Sequence, residues 1–329
     1  MTFPIVPVLC ATVSFLLVLF LTPWLIRYLR RVGLIVKDEN KEKKPLVPIS
    51  GGLSVMAGVF VGLMLYISTR TFIYKDTTYV DYIFAGISSI LIITFIGFVD
   101  DLIINKSKSE SRGLKQWQKP LLTLAAALPL MVVNAGDTIM SLPLIGRVDI
   151  GLIYPLILIP IGVVGAANMV NMLAGFNGLE TGLGIVYIGM LGLYAFVNNS
   201  YLGALFSLIG FSSLLAFYIF NKYPAKILPG DSLTYLIGAL IACIAIIGNL
   251  ERAALISAVP FFIEFILKAR KRFNAKSYGY YKYGKIKSYY DKIYSIPHIF
   301  TRTGRFTEKQ VVFFVILIQL FFSSLIWVL

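Results

Sequence analysis

The sequence predicts an all-α integral membrane protein with about ten transmembrane helices, and three observations lead to this prediction. Apolar residues make up 58% of the 329 residues, charged residues only 14%, and the mean hydropathy is +0.81. A water-soluble core of this size cannot bury so much apolar surface. The apolar residues form ten runs of about 20 residues, which is the length that crosses a bilayer. Lys and Arg gather on one side of these runs.

The ten runs follow one another without an intervening soluble segment, so we predict a single polytopic membrane domain over residues 1–329. The first run is long enough to span and lacks the basic segment that precedes a cleaved signal peptide. The ninth run is short and is interrupted by Pro260. Between the fourth and fifth runs, Gly136–Asp149 predicts a small external hairpin. The predicted spans lie near residues 4–26, 50–68, 80–99, 117–134, 151–173, 179–197, 201–220, 232–249, 253–268 and 309–329.

The distribution of positive charge predicts an N-terminus outside the membrane. With that orientation, 26 of the 30 Lys and Arg residues lie on the inner side, where such residues accumulate in membrane proteins. A miscounted span would scramble this asymmetry, so it supports both the number of spans and their direction. The net charge of +14 then reflects topology and gives no reason to expect nucleic acid binding. The four outer residues are Arg70, Lys75, Arg147 and Arg252.

Carboxylates and amides gather where three of the predicted spans meet the inner face. Asp100 and Asp101 end the third span, Asn168 and Asn171 end the fifth, and Asp231 begins the eighth. Ionisable groups at membrane depth are costly, and they usually mark a pathway or a site. We therefore predict a functional site at this face.

The residue types of this site indicate the chemistry. All candidate ligands are oxygen atoms, which suit Mg²⁺, whereas the chain holds one His, and its two cysteines, Cys10 and Cys243, lie in apolar runs. Mg²⁺ completes its shell with substrate phosphates and water, and nearby cations then favour phosphoryl transfer. The flanking basic residues are Lys119, Lys222, Lys226, Arg302 and Arg305.

Each of these residues also has a structural interpretation. The Asp100–Asp101 pair could cap a span in the headgroup region, and Asp231, which follows Pro-Gly, could cap the eighth helix. Asn168 and Asn171 share a helix face and could join two helices. The coincidence of three such segments on one face favours function. For Glu180 and Glu264 we favour structural roles; Glu264 has Lys268 one turn later.

The loop at 268–308 is long for this protein and combines seven tyrosines with many lysines. Its first part is typical of a segment on anionic headgroups, with aromatic rings at the interface. Its last part concentrates the single His of the chain, His298, with Arg302 and Arg305. Arg suits bidentate phosphate contacts, whereas His298 could also be an interfacial residue without a special role.

At these residues the sequence resembles the polyprenyl-phosphate N-acetylhexosamine-1-phosphate transferases. The stretch 168–182, Asn-Met-Val-Asn-Met-Leu-Ala-Gly-Phe-Asn-Gly-Leu-Glu-Thr-Gly, is most similar to the dolichyl-phosphate GlcNAc-1-phosphate transferases of eukaryotes and archaea. Bacterial members usually carry Asp where this chain has Asn171. The segments 48–52 and 296–304 also resemble the bacterial enterobacterial-antigen initiating transferase.

The resemblance implies ten spans, an external N-terminus and a cytoplasmic active site in the cell membrane. It implies that Asn171 and Asp231 bind Mg²⁺, or Mn²⁺, together with the donor pyrophosphate. Asp100 and Asp101 would organise the metal and the acceptor phosphate. Lys119 would contact phosphate, although an insertion at 106–114 sets it later in the chain than in the eukaryotic pattern.

The resemblance also implies residues that bind the substrate. Asn168 and Asn177 lie in the motif, and Asn177 would contact the nucleotide sugar. Leu228 stands where the eukaryotic enzyme stacks an aromatic ring on uracil. The closely spaced Arg pair of the eukaryotic enzymes is absent, and the substrate-binding candidates in its place are His298, Arg302 and Arg305.

The implied reaction moves HexNAc-1-phosphate, with GlcNAc as the expected sugar, from a UDP-sugar to dolichyl phosphate in the membrane and releases UMP. That is the first step of lipid-linked glycan assembly for protein N-glycosylation. The acceptor would attack directly, or Asp100 or Asp101 would be a covalent nucleophile. The alternatives are a bacterial-type undecaprenyl-phosphate enzyme for cell-wall or surface polysaccharide, a secondary transporter and a non-catalytic scaffold. A homodimer is compatible with all of them.

Overall fold

The protein is a helical bundle in the computed structural model, which describes residues 5–106, 113–142 and 146–329. The insertion predicted at 106–114 therefore lies largely outside the described residues, as does the turn of the predicted hairpin. The helices are α1 (Ile5–Arg31), α2 (Gly52–Ser68), α3 (Val80–Lys106), α4 (Gln118–Thr123), α5 (Leu128–Val132), α6 (Ile159–Met172), α7 (Leu179–Val197), α8 (Tyr201–Asn221), α9 (Gly230–Gly248), α10 (Glu251–Ser257), α11 (Val259–Ala269), α12 (His298–Thr301) and α13 (Glu308–Ser324).

Within the described residues, eight helical segments are long and apolar enough to cross a membrane. The prediction of a mostly helical, multi-pass membrane protein is confirmed. The fourth predicted span is a shorter apolar segment, Gln118–Val132, in which a 3-10 turn separates α4 from α5. The ninth is divided into α10 and α11, next to Pro260. Proline lacks the N–H that continues a helix. Pro129 lies at the start of α5 and Pro260 at the start of α11, which explains both interruptions.

Helix α9 forms the centre of the bundle and packs against α3, α6 and α8. Almost every residue of α9 is buried. Glycines allow two of these contacts: a Cβ on Gly97 of α3 would collide with the backbone of Asp231, and a Cβ on Gly238 of α9 would collide with the backbone of Ala167. The first contact brings the end of α3 against the start of α9, where the predicted site lies.

In the described part of the chain, three short antiparallel hairpins connect the helices. One pairs β1 (Ile35–Lys37) with β2 (Leu46–Pro48), and one pairs β3 (Ile139–Leu142) with β4 (Gly146–Asp149). The second is the hairpin predicted between the fourth and fifth spans. The third lies in the long loop and pairs β5 (Tyr280–Lys282) with β6 (Lys285–Lys287). Its pairing continues to the start of α13, since Ile286 N donates to Phe306 O at 2.9 Å.

A buried carboxylate on α11 fastens the long loop to the bundle. Glu264 accepts hydrogen bonds from Ser295 Oγ at 2.6 Å and from Ile296 N at 2.7 Å. The predicted pair of Glu264 with Lys268 is present at 3.6 Å. Lys268 also donates to the carbonyl of Met172, the last residue of α6. The loop is therefore joined to the helix that carries Asn168 and Asn171.

Candidate active site

Asp101 holds the N-terminus of α9 in place. Its Oδ1 accepts a hydrogen bond from Asp231 N at 2.7 Å, and its Oδ2 accepts bonds from Ser50 Oγ at 2.8 Å and Ser232 N at 3.3 Å. The side chain is completely buried. A carboxylate at a helix N-terminus satisfies amides that have no partner within the helix and interacts favourably with the helix dipole. Asp101, rather than Asp231, therefore caps α9.

Asp100 and Asp231 face the same ammonium group. Lys119 Nζ lies 2.7 Å from Asp100 Oδ2 and 2.6 Å from Asp231 Oδ2. The other oxygen of Asp100 accepts a bond from Leu114 N at 2.5 Å. Asp100 is fully buried, whereas the side chain of Asp231 is 15% exposed and that of Lys119 is 21% exposed. The accessible part of this cluster therefore consists of Asp231 and Lys119.

The two asparagines of α6 have different neighbours. Asn171 Nδ2 donates to Asp231 Oδ2 at 3.1 Å, so its amide belongs to the carboxylate cluster. Asn168 Nδ2 donates to Val164 O at 2.8 Å and to Thr123 Oγ1 at 3.2 Å, and therefore joins α6 to α4. Sequence reasoning treated both as candidates for helix contacts, and Asn168 makes such a contact. Both side chains are half-buried.

The donor set suits a hard cation, although no three His, Cys, Asp or Glu side chains in the described ranges form a metal-ligand group. The groups that meet are two carboxylates and one amide, which are oxygen ligands of the kind that Mg²⁺ accepts. Asp100 Oδ2 is buried and lies 2.7 Å from the ammonium of Lys119. The ammonium of Lys119 already shows that a cation fits between the carboxylates.

An apolar cavity of about 360 Å³ lies between α6, α9, α10 and α11. Met169 and Val170, next to Asn168 and Asn171, line one part of it. The wall is almost entirely apolar; Tyr154 and Glu251, which hydrogen bond to each other, are exceptions. The cavity thus has part of its apolar wall on the helix that carries Asn168 and Asn171.

Asn177 belongs to a second polar cluster that joins three loops. Its Nδ2 donates to Asp38 Oδ2 at 3.1 Å, its Oδ1 accepts from Ala225 N at 2.9 Å, and its own N donates to Glu308 Oε1 at 2.8 Å. Lys41 contacts both Asp38 and Glu308. Both polar atoms of the amide have protein partners, so in this conformation Asn177 fixes the loops around the site.

Leu228 lies in the loop before α9 and is half-buried. Its backbone pairs with the segment before α2: Leu228 N donates to Pro48 O at 2.8 Å, and Gly51 N donates to Leu228 O at 3.1 Å. These bonds bring the two loops together next to Ser50, which contacts Asp101. The position of Leu228 is therefore linked to the site through its backbone.

The three basic candidates of the long loop have two kinds of environment. His298 is buried; its Nδ1 accepts from Tyr294 N at 3.2 Å, and its Nε2 lies 2.9 Å from Lys276 O. These contacts define a neutral ring with the proton on Nε2. Burial lowers the pKa of His298, which agrees with the neutral form. Arg302 and Arg305 are exposed.

Sequence reasoning missed two residues of the site. Ser50 donates to Asp101. Its place in the segment 48–52, which resembles a bacterial transferase, is the sequence signal that could have identified it. Tyr235 lies one turn after Asp231; its ring centroid is 6.0 Å from Lys119 Nζ. The Tyr235 hydroxyl is buried without a hydrogen-bond partner in the described ranges. A Tyr in an apolar helix gives no signal by itself, although its spacing from Asp231 places both on one face.

Comparison with known proteins identifies the family. The model of glycosyl transferase family 4 matches residues 83–249, which include most of α3 and all of α4 to α9, and hence every residue of the carboxylate cluster except Ser50. The chain belongs to glycosyl transferase family 4, and it is an enzyme. The transporter and scaffold alternatives are therefore wrong.

Three individual relatives are similar to most of the chain. The chain is 37% identical to a protein of Saccharolobus solfataricus, over 91% of this chain and 89% of the relative. It is 33% identical to a protein of Sulfolobus acidocaldarius, over 96% of this chain and 94% of the relative. Both are provisionally named UDP-N-acetylglucosamine–dolichyl-phosphate N-acetylglucosaminephosphotransferase. The phospho-N-acetylmuramoyl-pentapeptide-transferase of Lactiplantibacillus plantarum is 31% identical over 76% of this chain and 78% of its own.

Proposed function

We propose that the protein transfers GlcNAc-1-phosphate from UDP-GlcNAc to a dolichyl-type polyprenyl phosphate and releases UMP. The observation that carries this proposal is the Asp100–Lys119–Asp231 cluster, in a chain whose relatives from Saccharolobus solfataricus and Sulfolobus acidocaldarius are provisionally named for that reaction. A polar cluster and an apolar cavity that share helix α6 suit a reaction between a soluble nucleotide sugar and a lipid phosphate.

We assign the cation site to Asp231 and Asn171, with Asp100 at its edge. Their oxygens suit Mg²⁺, and Mn²⁺ accepts the same ligands. When bound, the metal ion would neutralise charge on the donor pyrophosphate. These three side chains come from α9, α6 and α3, so the site depends on the packing of those helices.

The remaining residues of the cluster hold Asp231 in position and neutralise charge on the phosphates. Lys119 is the cation that can stabilise charge on the phosphates, and its partial exposure supports that role. Asp101 keeps α9 and Asp231 in place through its bonds to the helix N-terminus. The acceptor phosphate has its second pKa near ~6 and is mostly dianionic at pH 7, so it needs little activation. We favour its direct attack on the donor β-phosphorus over a covalent step through Asp100.

The acceptor chain is assigned to the apolar cavity. Its wall suits an isoprenoid, and the part of the wall formed by Met169 and Val170 lies next to the asparagines of α6. A lipid held there would bring its phosphate towards Asp231. We assign the donor to Asn177, Leu228 and the exposed guanidinium groups of Arg302 and Arg305, with His298 supporting the fold of that loop.

The proposal includes the topology inferred from charge. Ten spans with the N-terminus outside place the cluster and the loop 268–308 at the cytoplasmic face of the cell membrane, where soluble UDP-sugars are available. The fourth and ninth spans are then the interrupted segments. Labelling of single cysteines at Thr77 and Lys292 with an impermeant reagent in intact cells tests this topology: Thr77 should react and Lys292 should not.

The decisive experiment is an assay of the purified protein with labelled UDP-sugars. We expect UMP release that needs Mg²⁺ or Mn²⁺ and the lipid phosphate, with UDP-GlcNAc preferred over other UDP-HexNAc donors. Parallel reactions with dolichyl and undecaprenyl phosphate, analysed by mass, separate the proposed acceptor from the bacterial type. Asp231→Asn is the inactive control. UMP release that is absent with every donor and both lipids would overturn the proposal.

A further inference from the structure

We infer that Lys119 is an internal counter-ion that fills the cation site until a divalent ion displaces it. This inference rests on the proposed function, because it concerns the metal site assigned there. It assigns Lys119 a role before catalysis: the ammonium is the counter-ion of Asp100 and Asp231 and competes with the metal ion for the same oxygens.

The contacts of Lys119 give the first step of the argument. Its Nζ lies 2.6 Å from Asp231 Oδ2 and 2.7 Å from Asp100 Oδ2, and Asn171 Nδ2 donates to that same oxygen of Asp231. The oxygens that would bind a metal ion are thus already in contact with positively polarised groups. A metal ion held by these oxygens would therefore compete with this ammonium for them.

Charge gives the second step. Asp101 is hydrogen bonded to Ser50 and to the amides of α9, so the carboxylates in direct contact with Lys119 are those of Asp100 and Asp231. A buried and a partly buried carboxylate close together without a cation would repel each other. Lys119 removes that repulsion, and a divalent ion with the ammonium still in place would instead create a repulsion between cations.

The surroundings of Lys119 give the third step. The side chain is 21% exposed, so the ammonium has a route away from the carboxylates. The ring of Tyr235, 6.0 Å from Nζ, offers an aromatic surface that attracts a cation. When the ammonium leaves Asp231, it remains next to the site and becomes available to the phosphates of the donor. Metal entry and phosphate binding by Lys119 are then parts of one exchange.

Direct measurement of Mn²⁺ binding by electron paramagnetic resonance, without nucleotide or lipid, tests this inference. Lys119→Gln should bind Mn²⁺ at least about 10-fold more tightly than the wild type, because a competing charge is gone. Lys119→Arg keeps the charge and should bind as weakly as the wild type. Lys43→Gln, an exposed lysine outside the cluster, is the control for general surface charge.

A second measurement uses the unaltered protein and does not depend on the folding of a variant. An amine-reactive ester should modify Lys119 several-fold faster when Mn²⁺ is present, whereas modification of Lys43 should not change; peptide mass spectrometry quantifies both. Unchanged labelling of Lys119, or Mn²⁺ binding by Lys119→Gln no tighter than by the wild type, would overturn the inference. Failure of UMP release by the wild type would instead overturn the proposed function, whatever the binding data.

Discussion

The carboxylate of Asp101 accepts a hydrogen bond from the backbone amide of Asp231 at 2.7 Å. One member of the adjacent Asp100–Asp101 pair therefore builds the site, while the other faces Lys119 within it. Successive residues of a helix point in directions about 100° apart, which allows neighbouring side chains to serve different partners. The pair is thus divided between support of α9 and contact with the charged cluster.

This division predicts different defects for the two Asp→Asn variants. Asp100→Asn should nearly abolish UMP release, because the charge that faces Lys119 is lost, and it should change stability little. Asp101→Asn should lower the free energy of unfolding by about 1–3 kcal/mol, because an amide satisfies the N-terminus of α9 less well than a carboxylate. Thermal unfolding in detergent and the UMP assay measure the two effects.

Ser50→Ala is the matched control for Asp101. It removes one of the three donors to the same carboxylate and should produce a smaller loss of stability in the same direction. Equal loss of stability in Asp100→Asn and Asp101→Asn would contradict the division of roles. Normal turnover by Asp100→Asn would exclude this residue as a nucleophile or base.

Much of the fold could be predicted from the sequence, because apolar runs identify spans whatever their partners are. The span predicted at 179–197 matches α7 in both bounds. The interruptions in the fourth and ninth spans depend on local hydrogen bonding around proline, which a hydropathy run does not show. The sequence also identified the charged residues and the asparagine of the cluster, but it did not show which group each of them contacts. Asp101 and Asn177 are satisfied by backbone and side-chain groups of distant segments, and such contacts leave no pattern along the chain.

Close packing of α9 against α6 predicts a strong effect of one methyl group. Gly238→Ala would place a Cβ against the backbone of Ala167, and neither helix can yield easily. We expect a loss of about 1–3 kcal/mol in the free energy of unfolding and reduced turnover, since α6 carries Asn171. Gly165→Ala, on α6 itself, meets nothing within 4 Å and should be neutral or slightly stabilising. Similar stabilities of the two variants would show that α6 and α9 lie farther apart than in this structure.

Burial of His298 predicts a pH dependence of stability. Its pKa is lowered in the folded protein, so the unfolded chain takes up more protons as the pH falls below the ordinary value near 6.5. The stabilising contribution of the neutral ring is therefore fully present above that pH and is lost as the pH falls towards the folded pKa. Unfolding midpoints at pH 7.5 and 5.5 should differ more for the wild type than for His298→Gln, which cannot titrate. Parallel pH profiles would contradict a neutral buried ring.

The contacts of Glu264 predict that the long loop depends on one carboxylate. Glu264→Gln should weaken the bonds to Ser295 and Ile296 and release Lys268, which contacts the end of α6. Loss of charge-assisted hydrogen bonds of this kind costs about 1.5–3 kcal/mol each, so the loop should open locally before the bundle unfolds. Hydrogen exchange of residues 277–296 should accelerate, and the KM for the UDP-sugar should rise more than kcat falls. Glu42→Gln, an exposed carboxylate outside this loop, should change neither quantity. Unaltered exchange in Glu264→Gln would mean that the hairpin and the pairing with Phe306 hold the loop without help from α11.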